Sequence, residues 1–147
     1  MGGNTTDLGR IKLLVLDVDG VMTDGRIILT PSGEEIKEFH VRDGSGIKYW
    51  QRAGKTVAMI TGRSSKAVQI RAEELGVAFC RVGVKEKLPV LEEACAAAGV
   101  TVAETAMIGD DLPDVPIMRE CGYAIAVVFA GPSHPVGPGN ILCLHLG

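Results

Sequence analysis

The feature that most constrains this chain is an alternation. Five short, largely apolar runs, Ile11–Leu16, Val57–Ile60, Val77–Cys80, Thr105–Ile108 and Ala124–Val128, are separated by segments whose apolar residues recur with helical period. A continuous apolar run of this kind is the pattern of a strand covered on both faces, because a strand with one wet face alternates apolar with polar. The intervening segments are Gly46–Arg52, then Ser64–Leu75 with Val68, Ala72 and Leu75 on one face, then a stretch marked by Leu88, Leu91, Cys95 and Ala98, and last Leu112–Glu120. Pro89 fits the third segment because a first helical turn has no use for that N–H. Strands spaced by helices imply βαβ units, so the expected fold is α/β: a three-layer, doubly wound, Rossmann-like parallel sheet. One insert interrupts the alternation. Arg26–Val41 reads as strand, Pro31-Ser32-Gly33 turn and strand, a β-hairpin after the first strand that is too small to be a cap domain. Its open edges would be covered by pairing with a neighbouring subunit.

At 147 residues the chain has the size of one domain, 1–147, with residues 1–10 expected as a flexible N-terminus and 128–147 as an atypical tail. From Cys121 onward there is no Asp, Glu, Lys or Arg. A net charge of −3 and 4% aromatic residues argue against a nucleic-acid partner, which needs a basic face or stacking platforms. Cys80, Cys95, Cys121 and Cys143 form no C-x-x-C pair, so reduced thiols are expected. Cys143, His145 and His134 are too loosely arranged to argue for a metal site. The N-terminal residues do not resemble a secretory signal and no apolar stretch approaches membrane-spanning length. The expectation is a cytoplasmic protein with no membrane partner.

In an open α/β sheet, ligands bind beyond the carboxyl ends of the strands, so strand-ending polar residues are the candidates for chemistry. Asp17, Asp19, Thr61 and Asp110 all qualify. Asp17-Val18-Asp19-Gly20 puts two carboxylates where the chain leaves the sheet, and Gly109-Asp110-Asp111-Leu112-Pro113-Asp114 adds three more. Gathering this much negative charge raises carboxylate pKa values unless a cation compensates, and a hard divalent ion such as Mg²⁺ does so most simply. Any one of these aspartates reads equally well as a turn former or helix cap. The ordered set of D-x-D-G, T-G-R, a lysine before a helix and G-D-D-x-x-D does not.

That set resembles the haloacid dehalogenase superfamily of phosphotransferases, whose four motifs match Asp17-Val18-Asp19-Gly20, Thr61, Lys87 and Gly109-Asp110-Asp111. Within its capless branch, DVDGVMTDG, the hairpin, EFHVRDGSGIK, TGR, the Lys87 segment and GDDLPD look like the phosphatases of 3-deoxy-D-manno-octulosonate 8-phosphate. The resemblance covers Ile11 to Ala126 and stops there: Val127–Gly147 does not match the family's continuation. It implies that Asp17 attacks phosphorus, that Asp19 protonates the leaving oxygen and later activates water, and that Thr61 and Lys87 bind the phosphoryl group. It implies Mg²⁺ held by Asp17, the Asp19 carbonyl and Asp110, with Asp111 and Asp114 orienting Lys87 and metal-bound waters.

The same resemblance assigns substrate contacts to Asp19, His40, Val41, Arg42, Asp43, Gly44, Lys48, Arg63, Arg71 and Lys87. Several of these are cations, as suits a substrate with both a carboxylate and a phosphate. For Lys48 and Arg71, a solvated helix face is an equally good reading. The implied partner is an acid sugar phosphate, and the implied assembly is a homotetramer with shared active sites. Three alternatives stand beside this reading. One is a phosphatase of a nonulosonate 9-phosphate, one a receiver-like phospho-acceptor domain, and one a non-catalytic scaffold.

Overall fold

The computed structural model describes residues 7–127 and 141–142. Cys143, His134 and His145, and residues 1–6 of the predicted flexible N-terminus, lie outside them. Of that N-terminus, Leu8–Arg10 forms a 3₁₀ turn in which the Asp7 side chain accepts the Gly9 N–H.

Each predicted strand and helix is present, with shifted ends. The strands of the main sheet are β1 (Leu13–Leu16), β4 (Thr56–Ile60), β5 (Phe79–Arg81), β6 (Thr105–Gly109), β7 (Tyr123–Val127) and β8 (Ile141–Leu142), and β2 (Ile28–Leu29) and β3 (Glu35–Ile36) form the hairpin. The helices are α1 (Val41–Arg52), α2 (Lys66–Leu75), α3 (Lys87–Ala98) and α4 (Val115–Glu120). The main sheet runs β5-β4-β1-β6-β7-β8, parallel throughout except that β8 pairs antiparallel with β7. That last strand departs from the predicted strand followed only by loop.

Side-chain alternation along β4 builds the three layers. Ala58 and Ile60 pack with Leu91, Ala94, Cys95, Ile117 and Met118 of α3 and α4, whereas Val57 and Met59 pack with Ile47 of α1 and Val68, Ala72 and Leu75 of α2. Both faces of the strand are therefore dry, which is why its sequence shows no polar alternation. Cys95 is buried in the first of these clusters and Cys121 packs against it, while Cys80 packs against the second, as apolar spacers.

Two differences from the sequence reading have plain causes. Helix α1 starts at Val41 rather than Gly46, because the His40 imidazole accepts the Arg42 N–H and caps a turn rich in glycine. The hairpin pairs only two residues on each side, Ile28 with Ile36 and Leu29 with Glu35, and Val41 belongs to the helix instead. Among the described residues, no helix is long and apolar enough to cross a membrane.

In order of occurrence, the five parallel strands lie 3-2-1-4-5, so the chain reverses direction of winding between β1 and β6. A receiver domain orders its strands 2-1-3-4-5, and the topology therefore removes that alternative. The reversal point is where the acidic motifs meet.

Candidate active site

Leu16 of β1 sits beside Ile108 of β6 and Met59 of β4. The ladder continues one step, with the Asp17 N–H donating to the Ile108 carbonyl at 3.0 Å. The residues leaving these strands, Asp17, Thr61 and Asp110, consequently emerge side by side at the switch point. Asp17, Asp19, Thr61, Arg63, Lys87, Asp110, Asp111 and Asp114 line one pocket, together with Gly25, Gly62 and Pro113.

Lys87 opens α3 and runs inward. Its Nζ lies 2.9 Å from Asp17 Oδ1 and 2.5 Å from Asp114 Oδ1, and its side chain is 3% exposed. Burial alone would push this amine down, but Asp114 and Asp17 outweigh it and hold Lys87 above its ordinary range. Asp17 is pushed up, first by burial and then by Asp114, against the opposing pull of Lys87.

Asp114 is fully buried. One carboxylate oxygen takes Lys87, and the other accepts the N–H groups of Asp110 and Asp111 at 3.1 and 3.4 Å. It can pack this closely because Gly109 has no side chain; a Cβ there would lie 2.7 Å from Asp114. Asp111 shapes the backbone here. It accepts the Leu112 N–H at 2.7 Å, starting the 3₁₀ turn that delivers Asp114, whereas Asp114 is the residue that orients the lysine.

Carboxylate oxygens of Asp17, Asp110 and Asp114 all lie within 4.8 Å of one another. Asp110 is pushed up to about 7, first by desolvation, then by the hydrogen bond and charge of Asp17, then by Asp114 and Asp111. An all-oxygen cluster under this repulsion suits a hard divalent cation. Both oxygens of Asp114 are engaged by Lys87 and the backbone, whereas Lys87 meets only Oδ1 of Asp17 and the remaining carboxylate contact is the one between Asp17 and Asp110 themselves. Gly20 keeps the approach open: its φ is +84°, and a Cβ there would come within 1.8 Å of Asp110 Oδ2.

The predicted specificity residues divide between two places. Arg63 joins the acidic pocket, but Val41, Gly44, Lys48 and Arg71 line a separate depression between α1 and α2 with Ser45, Tyr49 and Arg52. His40 caps α1, and Arg42 and Asp43 occupy its first turn. Arg71 lies over the Phe39 ring, pairs with Glu74 at 2.8 Å and has a buried Nε with no hydrogen-bond partner among the described residues.

Sequence reasoning missed Glu35 and Lys37. Lys37 Nζ lies 2.5 Å from both Asp19 Oδ1 and Glu35 Oε1, and Glu35 also receives Arg63 at 3.1 Å. Burial disfavours the charged lysine, but Asp19 and Glu35 outweigh it and keep Lys37 above its ordinary range. The available signal was spacing: two opposite charges at i and i+2 in an extended segment share a face.

Residues 34–122 match the family described as haloacid dehalogenase-like hydrolase. The chain is 43% identical over 123 residues to the 3-deoxy-D-manno-octulosonate 8-phosphate phosphatase of Haemophilus influenzae, covering 84% of this chain and 68% of that protein. A relative from Yersinia pestis with the same description is 43% identical, and 65% of its length is covered. Thus the chain spans about two thirds of the length of these relatives. The crystal structure of the Moraxella catarrhalis phosphatase of that description, in complex with magnesium, phosphate and KDO, superposes with a TM-score of 0.76 at 42% identity, covering 79% of this chain and 67% of that one. With its motifs converging at the switch point of this fold and with these relatives, the chain belongs to the haloacid dehalogenase-like hydrolase family, alongside its 3-deoxy-D-manno-octulosonate 8-phosphate phosphatases.

Proposed function

We propose that the protein is a Mg²⁺-dependent phosphoric monoester hydrolase acting on an acid sugar phosphate, 3-deoxy-D-manno-octulosonate 8-phosphate, to give KDO and phosphate. The observation that carries this reading is the placement of Asp17 at the switch point, 2.9 Å from a buried lysine and clustered with Asp110. The relatives' substrate supplies the sugar.

Asp17 attacks phosphorus in line, forming a carboxylate O–P bond as the bond to the sugar oxygen breaks. Asp19 gives its proton to the departing oxygen. In the second half, Asp19 takes a proton from water as the water oxygen attacks phosphorus, and the Asp17 carboxylate leaves. Lys87 and the Thr61 hydroxyl bind the phosphoryl oxygens. The carboxylates of Asp17 and Asp110, with the Asp19 carbonyl, would hold Mg²⁺, which supplies positive charge to the phosphoryl oxygens.

The residues act as one domain without a cap, and the cytoplasm is the compartment where such a reaction belongs. Ile27, Leu29 and Ile36 of the hairpin region are 59, 60 and 45% exposed. This apolar surface supports an assembly, a homotetramer in our reading, in which hairpins pair. The depression at Gly44, Lys48 and Arg71 then completes a neighbour's site, where Arg42 also contributes and His40, Val41 and Asp43 shape the wall. A cationic depression separated from the acidic pocket favours this reading over a site contained in one chain.

Parallel hydrolysis assays test the function. The octulosonate 8-phosphate should give the highest kcat/KM, with a nonulosonate 9-phosphate and simple sugar phosphates well below it. A preference for the nonulosonate ester would move the assignment to that substrate, and no turnover of any ester with Mg²⁺ would overturn it.

A further inference from the structure

We infer that Lys37 is a positioning residue for Asp19, so that the hairpin sets the geometry of proton transfer to the leaving group. This rests on the reading of Asp19 as the acid and base of the reaction.

Asp19 opens the turn that follows β1, just before Gly20, and its side chain is 23% exposed; among the described residues, no group of its own loop holds that side chain as Lys87 holds Asp17. The contact that holds it comes from 18 residues away: the Lys37 ammonium at 2.5 Å. Lys37 is unsuited to binding substrate directly. Its side chain is 1% exposed, and its Nζ already has the Asp19 and Glu35 carboxylates as partners. Glu35 is in turn anchored by Arg63, whose side chain is 44% exposed and reaches the pocket. The result is a chain of alternating charge, Asp19–Lys37–Glu35–Arg63, drawn from the nucleophile loop, the hairpin and the loop after β4. Buried ion pairs of this type fix a direction more than they add stability, because desolvation cancels much of their attraction. Proton transfer needs that direction, since donor and acceptor must lie within hydrogen-bond reach.

If Lys37 acts through Asp19, its loss should lower kcat/KM, which reports the steps up to formation of the aspartyl-phosphate, only where the leaving group needs a proton. Hydrolysis of the intermediate, common to all esters, enters kcat alone. An alkyl phosphate needs the proton; p-nitrophenyl phosphate leaves as a stable phenolate and does not. Neither ester carries a carboxylate, so binding of an acid sugar is not being measured. For Lys37→Met, which keeps the aliphatic length, kcat/KM should fall about 10- to 100-fold on a simple alkyl phosphate, as small misplacements of reacting groups do. On p-nitrophenyl phosphate it should stay within about threefold on the same principle. Lys37→Arg should restore most of the alkyl activity. In an Asp19→Asn background, Lys37→Met should cost nothing further, because the two changes share one effect. Where Lys37→Met does not fold, Glu35→Gln should give a smaller loss with the same dependence on leaving group.

Equal losses on both esters, no loss on either, or additive losses with Asp19→Asn would overturn the inference. Failure of the underlying reading looks different. In that case Asp19→Asn itself would lower kcat/KM equally on both esters, whatever Lys37 does.

Discussion

Replacing Lys87 by Met removes the one ammonium placed between Asp17 and Asp114 while keeping most of the side-chain volume. The amine lies 2.9 and 2.5 Å from these two carboxylates, whose side chains are 9 and 0% exposed, and Asp110 is within 4.8 Å of both. These side chains are largely buried, so water screens them weakly and the cost is that of stranding buried charge, about 3–5 kcal/mol, rather than the fraction of a kcal/mol of a surface pair. For a domain of this size each kcal/mol moves Tm by about 2–4 °C, giving an expected fall of roughly 6–20 °C in metal-free protein at pH 8. Two conditions should shrink that loss. At lower pH the freed carboxylates take up protons, and at saturating Mg²⁺ the metal replaces part of the missing charge. Urea denaturation of both proteins at pH 6 and 8, with and without Mg²⁺, measures all four cases. A metal-free cost below about 1 kcal/mol at pH 8 would refute the claim that Lys87 neutralises this cluster, given what breaking a buried pair normally costs.

Other consequences follow from the same geometry. Asp110, pushed from 3.8 up to about 7, holds in the folded metal-free protein a proton that the unfolded chain releases near pH 4. Its contribution to metal-free stability therefore falls as pH rises from 4 to 7, and Mg²⁺ must displace that proton to bind. Thermal stabilisation by a fixed Mg²⁺ concentration should be larger at pH 8 than at pH 6 and should flatten in Asp110→Asn; a pH-independent effect would contradict this. Gly20→Ala should weaken Mg²⁺ binding at least tenfold by calorimetry, because its Cβ would collide with Asp110 Oδ2 at 1.8 Å. Unchanged affinity would show that the loop yields easily. Leu29→Lys places charge on the exposed hairpin surface and should dissociate the assembly in sedimentation while leaving the fold intact by circular dichroism. A wild-type protein that is already a fully active monomer would remove the shared-site proposal.

How much of this was legible in the sequence depended on range. β1, β4 and β6 were readable because both of their faces are dry, which leaves uninterrupted apolar runs. Asp17, Thr61 and Asp110 were readable because a polar residue ending such a run must emerge at the edge of the sheet. The start of α1 was not, since His40 is an unusual cap and the glycines at 44 and 46 weaken helical propensity without preventing a helix. β8 was hidden by the composition of the tail. The division of Asp111 from Asp114 depended on the Gly109 approach, a three-dimensional fact. Lys37 was missed for the same reason: its partner Asp19 is distant in sequence, and a lysine among the glutamates of a hairpin reads as a solvated edge residue.

The central claim is that Asp17 becomes covalently phosphorylated during turnover, and the most direct measurement is mass spectrometry of peptides from protein acid-quenched in the presence of Mg²⁺ and substrate. One added phosphoryl group is expected on the peptide carrying Asp17, absent from Asp17→Asn, whose turnover should fall at least ~10³-fold as when one member of a catalytic unit is lost. A larger trapped fraction is expected in Asp19→Asn, where hydrolysis of the intermediate lacks its base. A phosphoryl group on any other residue, or near-normal turnover by Asp17→Asn, would contradict it.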